Sequence, residues 1–254
     1  MANVSLSAGI TVSAVGIAAA AGVVGAWGAM APSAQLFGPT IRHTGNDSQI
    51  ALTFDDGPNP RATPRLLDVL ARHDVPATFF VMGRHARGWP KITAEIAARG
   101  HAIGNHTETH PNLIFLSPHQ IVDELKRCRD AVAEATGRQT TYVRPPFGFR
   151  SPWFAAAART TKHNDVIMWS RWAWDWKVQP AAPVIKRLRQ VRGGDIVLLH
   201  DADHRILEGD RTHTVEAVAH WLPRWKDAGL GFTTLDAMLS LDASRSARIE
   251  NPYG

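Results

Sequence analysis

A single cysteine, Cys128, occurs among 254 residues. An intramolecular disulfide is therefore excluded, as is a zinc site built from several thiolates. Dense runs of Lys and Arg are also missing. The 28 basic and 23 acidic residues are scattered, and the net charge of +5 implies no nucleic-acid partner. Charge of either sign is absent from residues 1–41 altogether. What remains is ordinary globular usage, 44% apolar and 20% charged, which excludes wholesale disorder and a fibrous repeat. The length suits one large domain that buries a sizeable core without disulfides.

The uncharged N-terminus reads as a separate object. Residues 8–30 are 23 uncharged residues in a row, about 34 Å as a helix and enough for a ~30 Å hydrocarbon core. No positive charge precedes this run, as a secretory signal would require, although Ala29-Met30-Ala31 looks like a small-x-small cleavage site. Residues 1–31 are assigned to a membrane anchor or signal peptide. Residues 32–48, with Pro32, Gly38, Pro39 and Gly45, read as a linker, and residues 241–254 as a tail. The expected location is membrane-anchored or secreted, outside the cytoplasm.

From residue 49 onward, short β-branched runs alternate with segments of helical periodicity. Strand-like runs cover 50–54, 77–82, 101–104, 141–143, 165–169, 195–199 and 231–235. Helical segments cover 64–73, 91–99, 118–136, 152–162, 183–191 and 213–228, several of them opening on proline. Seven such units predict a parallel sheet covered by helices. That is one unit short of an eight-stranded barrel, so the expected fold is α/β, a distorted (β/α)7 barrel forming a single catalytic domain; an open doubly wound sheet is the alternative. Either architecture places function at the C-terminal ends of the strands.

Ionisable residues gather at those ends. The first strand runs into Asp55-Asp56-Gly57-Pro58, the third into His106 and His110, the fourth into Arg144-Pro145-Pro146-Phe147-Gly148, and the sixth into His200-Asp201. His106 and His110 are four apart, so one helical turn would aim both imidazoles at one point, although Pro111 forbids a long helix. A carboxylate from Asp55 or Asp56 completes a two-His, one-carboxylate set for a divalent ion, with zinc first and cobalt, nickel or manganese also suitable. Side-chain alternation along a strand separates the two aspartates into one metal ligand and one base. A carboxylate base on water requires the metal: free water lies roughly 12 pKa units above an ordinary Asp, and a metal narrows that gap to about 3. His200 is the natural acid for a departing amine, Asp175 can orient it, and Arg144 can pin a carboxylate such as Asp55 in its ionised state. Trp172, Trp174 and Trp176 form an aromatic loop able to stack on sugar faces or wall an acyl pocket. Asp201, Asp203 and His204 read as a solvated loop. Trp221 and Trp225, four apart, are expected to pack on the barrel.

Thr53-Phe54-Asp55-Asp56-Gly57-Pro58, His106-Thr107-x-x-His110, Arg144-Pro145-Pro146-Phe147, Asp175-Trp176 and Leu198-x-His200 resemble, in order, the five motifs of NodB-like polysaccharide deacetylases, carbohydrate esterase family 4. The resemblance covers about residues 48–240 and places a deacetylase domain at 49–240. It implies a distorted (β/α)7 barrel, independently of the seven units counted above. It implies Asp55 as general base, Asp56, His106 and His110 as metal ligands, and His200 as general acid with Asp175 as partner. It further implies Arg144 as support for the base and the Phe147 N–H as an oxyanion donor. Pro146 falls with the three tryptophans in the substrate groove. The implied reaction removes acetyl from N-acetylated, or O-acetylated, sugars of a cell-wall or related polymer or oligomer. Two departures stand out: Phe147 occupies a position where the family usually has Tyr, and Trp172 one where it often has Asp. The alternatives are a deacylase or deformylase of a small or lipid-linked sugar, and a sugar-binding domain without turnover.

Overall fold

The computed structural model describes residues 4–241, with side chains described from residue 16 onward. Eight short strands form: β1 (Gln49–Asp55), β2 (Thr78–Val81), β3 (Ala102–Asn105), β4 (Tyr142–Val143), β5 (Asp165–Val166), β6 (Arg171–Trp172), β7 (Ile196–His200) and β8 (Gly231–Phe232). Every ladder is parallel, in the order β5-β4-β3-β2-β1-β7-β6, with β8 pairing β1. The distorted (β/α)7 barrel expected from the sequence is the fold.

Its distortion lies in the fifth unit. The run expected at 165–169 forms only the two residues of β5, which pair with β4; β6, just beyond it, pairs with β7, so the chain from 165 to 172 joins the two sides of the barrel. The segment expected as a linker reinforces this join: Ile41 bridges Ile167, and His43 bridges Asp195.

The helices are α1 (Val4–Met30), α2 (Thr63–Arg72), α3 (Gly83–Gly88), α4 (Pro90–Ala98), α5 (Pro118–Thr136), α6 (Phe154–Thr160), α7 (Ala181–Leu188) and α8 (Thr212–Asp227). Local sequence explains the sharpest boundaries. Ser117 and Gln120 close a capping box at the start of α5, and Gly137 ends it in the left-handed conformation (φ 70°), where a side chain would be strained. The short α3 carries no periodic signal that the sequence could have revealed.

Side-chain alternation divides the core into layers. Leu52, Phe54, Val197 and Leu199 face outward into the apolar layer under the helices. Ala51, Phe80, Tyr142, Ile167 and Ile196 pack together inside. Trp225 is buried in the outer layer and stacks on Trp221 at 5.7 Å, as expected.

The N-terminal segment is not separate from the barrel. The main-chain N–H of Arg150 donates to Ala29 O at 2.9 Å, and its buried guanidinium donates to Gly28 O, Ala31 O and Ala34 O at 3.4, 2.6 and 3.1 Å. The last carbonyls of a helix have no partners of their own and attract cations, so one arginine both caps α1 and fastens it to the barrel. Among the described residues no helix is long and apolar enough to cross a membrane. Side chains 8–15 of the uncharged run, and the tail from residue 242 onward, lie outside the described residues.

Candidate active site

The pairing of β1 with β7 sets Asp55 directly beside His200. Both continue the inward-facing rows, Ala51-Thr53-Asp55 and Ile196-Leu198-His200, by the period of two. Arg144 crosses the interior beneath them, fully buried, with its guanidinium 4.1 Å from the centre of the Phe80 ring. It donates to Asp55 Oδ1 at 2.8 Å, Thr53 Oγ1 at 2.7 Å, Met168 O at 3.0 Å and Ile167 O at 3.3 Å.

Asp56 leaves the strand in the left-handed region (φ 73°), which swings its carboxylate away from that of Asp55. Its Oδ1 lies 3.4 Å from His106 Nε2 and 3.3 Å from His110 Nε2. The helical turn expected to aim the two imidazoles is not formed. His106 and His110 lie on a loop, and positive φ at Thr107 (68°) and His110 (61°) produces the convergence. Asn105 Oδ1 accepts from the Thr107 N–H at 2.8 Å and holds the first of those bends.

These three residues form a buried group whose ligand atoms lie within 4.8 Å of one another. The donor chemistry fits a divalent ion. His106 Nδ1 contacts the Arg144 carbonyl at 2.8 Å; a carbonyl only accepts, so Nδ1 carries the proton and the Nε2 lone pair faces Asp56. Asp56 Oδ1 is buried without a hydrogen-bond partner, an arrangement that costs free energy unless a cation or donor meets it. Burial alone raises the Asp56 carboxyl, but His110, His106, His204 and His200 outweigh it and hold the group well below the usual carboxylate range. Burial also lowers His110, to about 3, against the opposing pull of Asp56. An ionised oxygen thus faces the unprotonated His110 ring and the Nε2 edge of His106.

His200 sits opposite this cluster. Its Nδ1 meets Asp175 Oδ1 at 2.9 Å, and its main-chain N–H donates to Asp175 Oδ2 at 2.8 Å. Asp175 is fully buried and takes a further hydrogen bond from Thr214 Oγ1 at 2.8 Å. Burial disfavours a charged imidazole here, yet the Asp175 carboxylate prevails and raises His200 to about 9.

A cleft of about 810 Å³ opens over these groups, lined by Asp55, Asp56, His106, His110 and His200 at its floor. Phe147 lines its wall in the left-handed region (φ 58°), with its ring 4.5 Å from that of His110. Trp172 and Trp176 line the cleft; Trp174 does not, because it stacks flat on Trp172 at 4.2 Å and faces a smaller cavity beside Arg187. Pro146, expected in the substrate groove, does not line the cleft; the neighbouring Pro145 does.

The loop after His200 also departs from expectation. Asp201 is buried rather than solvated: Thr63 donates to its carboxylate, and burial raises it to about 7. Its oxygens would lie 2.5 Å from a Cβ on Gly57, so glycine there is a packing requirement. His204 stacks on His110 at 4.2 Å, with its Nδ1 3.7 Å from Asp56 Oδ2. Arg84 fastens the loop by donating to the His204 carbonyl. No periodicity or spacing signals that contact, because the loop folds back through tertiary packing. Met30 and Pro32 line the cleft for the same reason. Glu108, between the two histidines in sequence, points away and pairs with Arg87 and Arg127.

A strained strand end, two loop histidines and a carboxylate-backed imidazole around one cleft define a metal-assisted hydrolase site. The polysaccharide deacetylase family profile matches residues 42–166. A peptidoglycan-N-acetylglucosamine deacetylase of Bacillus cereus is 32% identical over 205 residues, 79% of this chain and 71% of that protein. A chitooligosaccharide deacetylase of Rhizobium leguminosarum bv. trifolii is 34% identical over 199 residues, 75% of this chain and 91% of that one. Among solved structures, the peptidoglycan deacetylase PdaC from Bacillus subtilis superposes with a TM-score of 0.69 at 28% identity, covering 81% of this chain and 96% of that one. A family 4 pseudoenzyme from Bacillus anthracis gives 0.70 at 28% identity, over 79% of this chain and 69% of that one. The chain belongs to the polysaccharide deacetylase family, and is a hydrolase acting on non-peptide carbon–nitrogen bonds.

Proposed function

We propose that the protein removes acetyl groups from N-acetylated glucosamine units of a glycan of the peptidoglycan or chitin type, with zinc as the metal, from an extracytoplasmic position, either secreted or held at the membrane by its uncharged N-terminal run. The observation that carries this reading is the meeting of Asp56, His106 and His110 beside a buried Asp55–Arg144 pair and a His200–Asp175 pair. Two imidazoles and one carboxylate leave a tetrahedral ion an open position. The glycan class is supported by the names of the relatives, and the anchor by the uncharged run at 8–30.

Asp56, His106 and His110 would hold the ion, which when bound polarises the acetyl carbonyl and acidifies water at the open position. Asp55 takes the proton from the attacking water, with Arg144 holding the carboxylate turned inward through its 2.8 Å hydrogen bond. Phe147, with φ at 58°, presents its main-chain N–H to the carbonyl oxygen as negative charge develops there. His200 enters the step protonated and gives its proton to the leaving nitrogen; Asp175 fixes its orientation and stabilises the imidazolium. An O-acetyl ester could undergo the same attack, but its leaving alkoxide has less need of the acid.

The test is acetate release from N-acetylglucosamine oligomers before and after chelation. Activity lost with the metal and restored by zinc supports the reading, and binding of oligomers without turnover under any divalent ion refutes it. Replacing Asp55 by Asn should lower kcat by about 10²–10⁴-fold.

A further inference from the structure

The cleft is larger and more apolar than removal of an acetyl group demands. At about 810 Å³ it falls in the range of roughly 300–1,000 Å³ that encloses a whole drug-sized ligand. The polar floor occupies one side only. Away from it the lining is Met30, Pro32, Phe149, Trp172, Trp176 and Val178, of which Met30, Trp172, Trp176 and Val178 are exposed. Two cations line the cleft: Lys177, with its Nζ 4.7 Å from the Trp176 ring centre, and Arg205, whose Nε donates to His204 Nε2 at 3.2 Å; the carboxylate of Asp203, also in the lining, is already paired with Arg211. Among the described residues neither pairs with a carboxylate. Met30 is the last residue of α1, and Trp27 and Val23, spaced by three and four residues, extend the exposed apolar surface up the same face of that helix. The buried guanidinium of Arg150 holds the helix end in place, so this wall is built in rather than adventitious.

A neutral chitin-type oligomer carries no charge to meet Lys177 and Arg205, and no chain to cover the apolar wall. Resting on the deacetylase reading above, we propose that the substrate is an N-acetylated saccharide joined through phosphate to a long apolar chain. The sugar lies over Asp56, His106 and His110, the phosphate meets Lys177 and Arg205, and the chain runs past Trp176 and Val178 to Met30 and α1. Charge complementarity and continuous apolar surface together specify this occupant; each alone would fit many others.

The experiment compares acetate release by the full-length protein in detergent, supplied with a divalent ion. Three probes are used: N-acetylglucosaminyl farnesyl diphosphate, N-acetylglucosamine 1-diphosphate, and the N-acetylglucosamine tetramer. The expected kcat/KM for the farnesyl probe exceeds that of the tetramer about tenfold or more, since even a short chain buries several methylene equivalents. Met30→Asp and Val178→Asp each reduce that preference several-fold. Lys177→Ala with Arg205→Ala raises KM for both diphosphate probes relative to the tetramer. Equal kcat/KM for the farnesyl probe and the tetramer overturns the proposal while leaving the deacetylase reading intact. A preference untouched by all four substitutions overturns it as well. Absence of turnover on every probe refutes both readings.

Discussion

The Asp55–Arg144 pair lies in the barrel interior, with both side chains at most 4% exposed. Replacing Arg144 by Met keeps comparable apolar bulk over Phe80 but leaves Asp55 with an unmatched charge, and strips donors from Thr53, Ile167 and Met168. Breaking one side of a buried pair costs about 3–5 kcal/mol, because the remaining charge has already lost its water. For a domain of this size each kcal/mol moves Tm by roughly 2–4 °C, so a fall of about 6–20 °C is expected. Urea unfolding, followed by far-UV circular dichroism, should show a lower midpoint with an unchanged m value. Asp55→Asn alone should also destabilise, by leaving the guanidinium without its counter-charge. The double variant should lose less than the sum of the two, with a coupling of about 1.5–3 kcal/mol. Additive losses, or a loss below about 1 kcal/mol for Arg144→Met, would refute the claim that this pair is electrostatically coupled and buried.

His200, held at about 9 by Asp175, must keep its proton to act as acid. The kcat/KM profile should therefore fall as pH rises past about 9, and Asp175→Asn should move that limb to lower pH; an unmoved limb would separate it from His200. Burial lowers His163 to about 4, with Arg129 adding to the effect. Its folded pKa lies below the unfolded value, so the unfolded chain takes up the extra proton between about pH 6.5 and 4. Stability should fall with pH across that window, the His163 share approaching about 1.4 kcal/mol per unit. His163→Asn should flatten the slope measured by urea titration at several pH values.

The alternation of β-branched runs with periodic helices made the barrel legible: each expected run has a strand starting within one residue of it, while β5 and β8 end three residues early. Strand β6 falls outside every expected run, because at two residues it is too short for any periodicity to register. The aspartates, histidines and Arg144 were legible as a rim because strand ends are marked by the runs that precede them. The four-residue spacing of the two histidines predicts a helical turn to aim them together, and none forms there. Left-handed bends at Asp56, Thr107 and His110 do that work instead, and non-glycine residues give no compositional warning of them.

Sequence by itself determined which groups would line one end of the barrel, since chain order and a period of two dictate which residues leave a parallel strand at its C-terminal end. Only the tertiary structure decided what encloses them. The N-terminal helix caps on Arg150, 120 residues away from Met30 in the chain, and the loop after His200 folds back over His110. Such contacts depend on the shape of a finished core, because desolvated charges and unpaired helix carbonyls find partners only after the strands have set their positions in space.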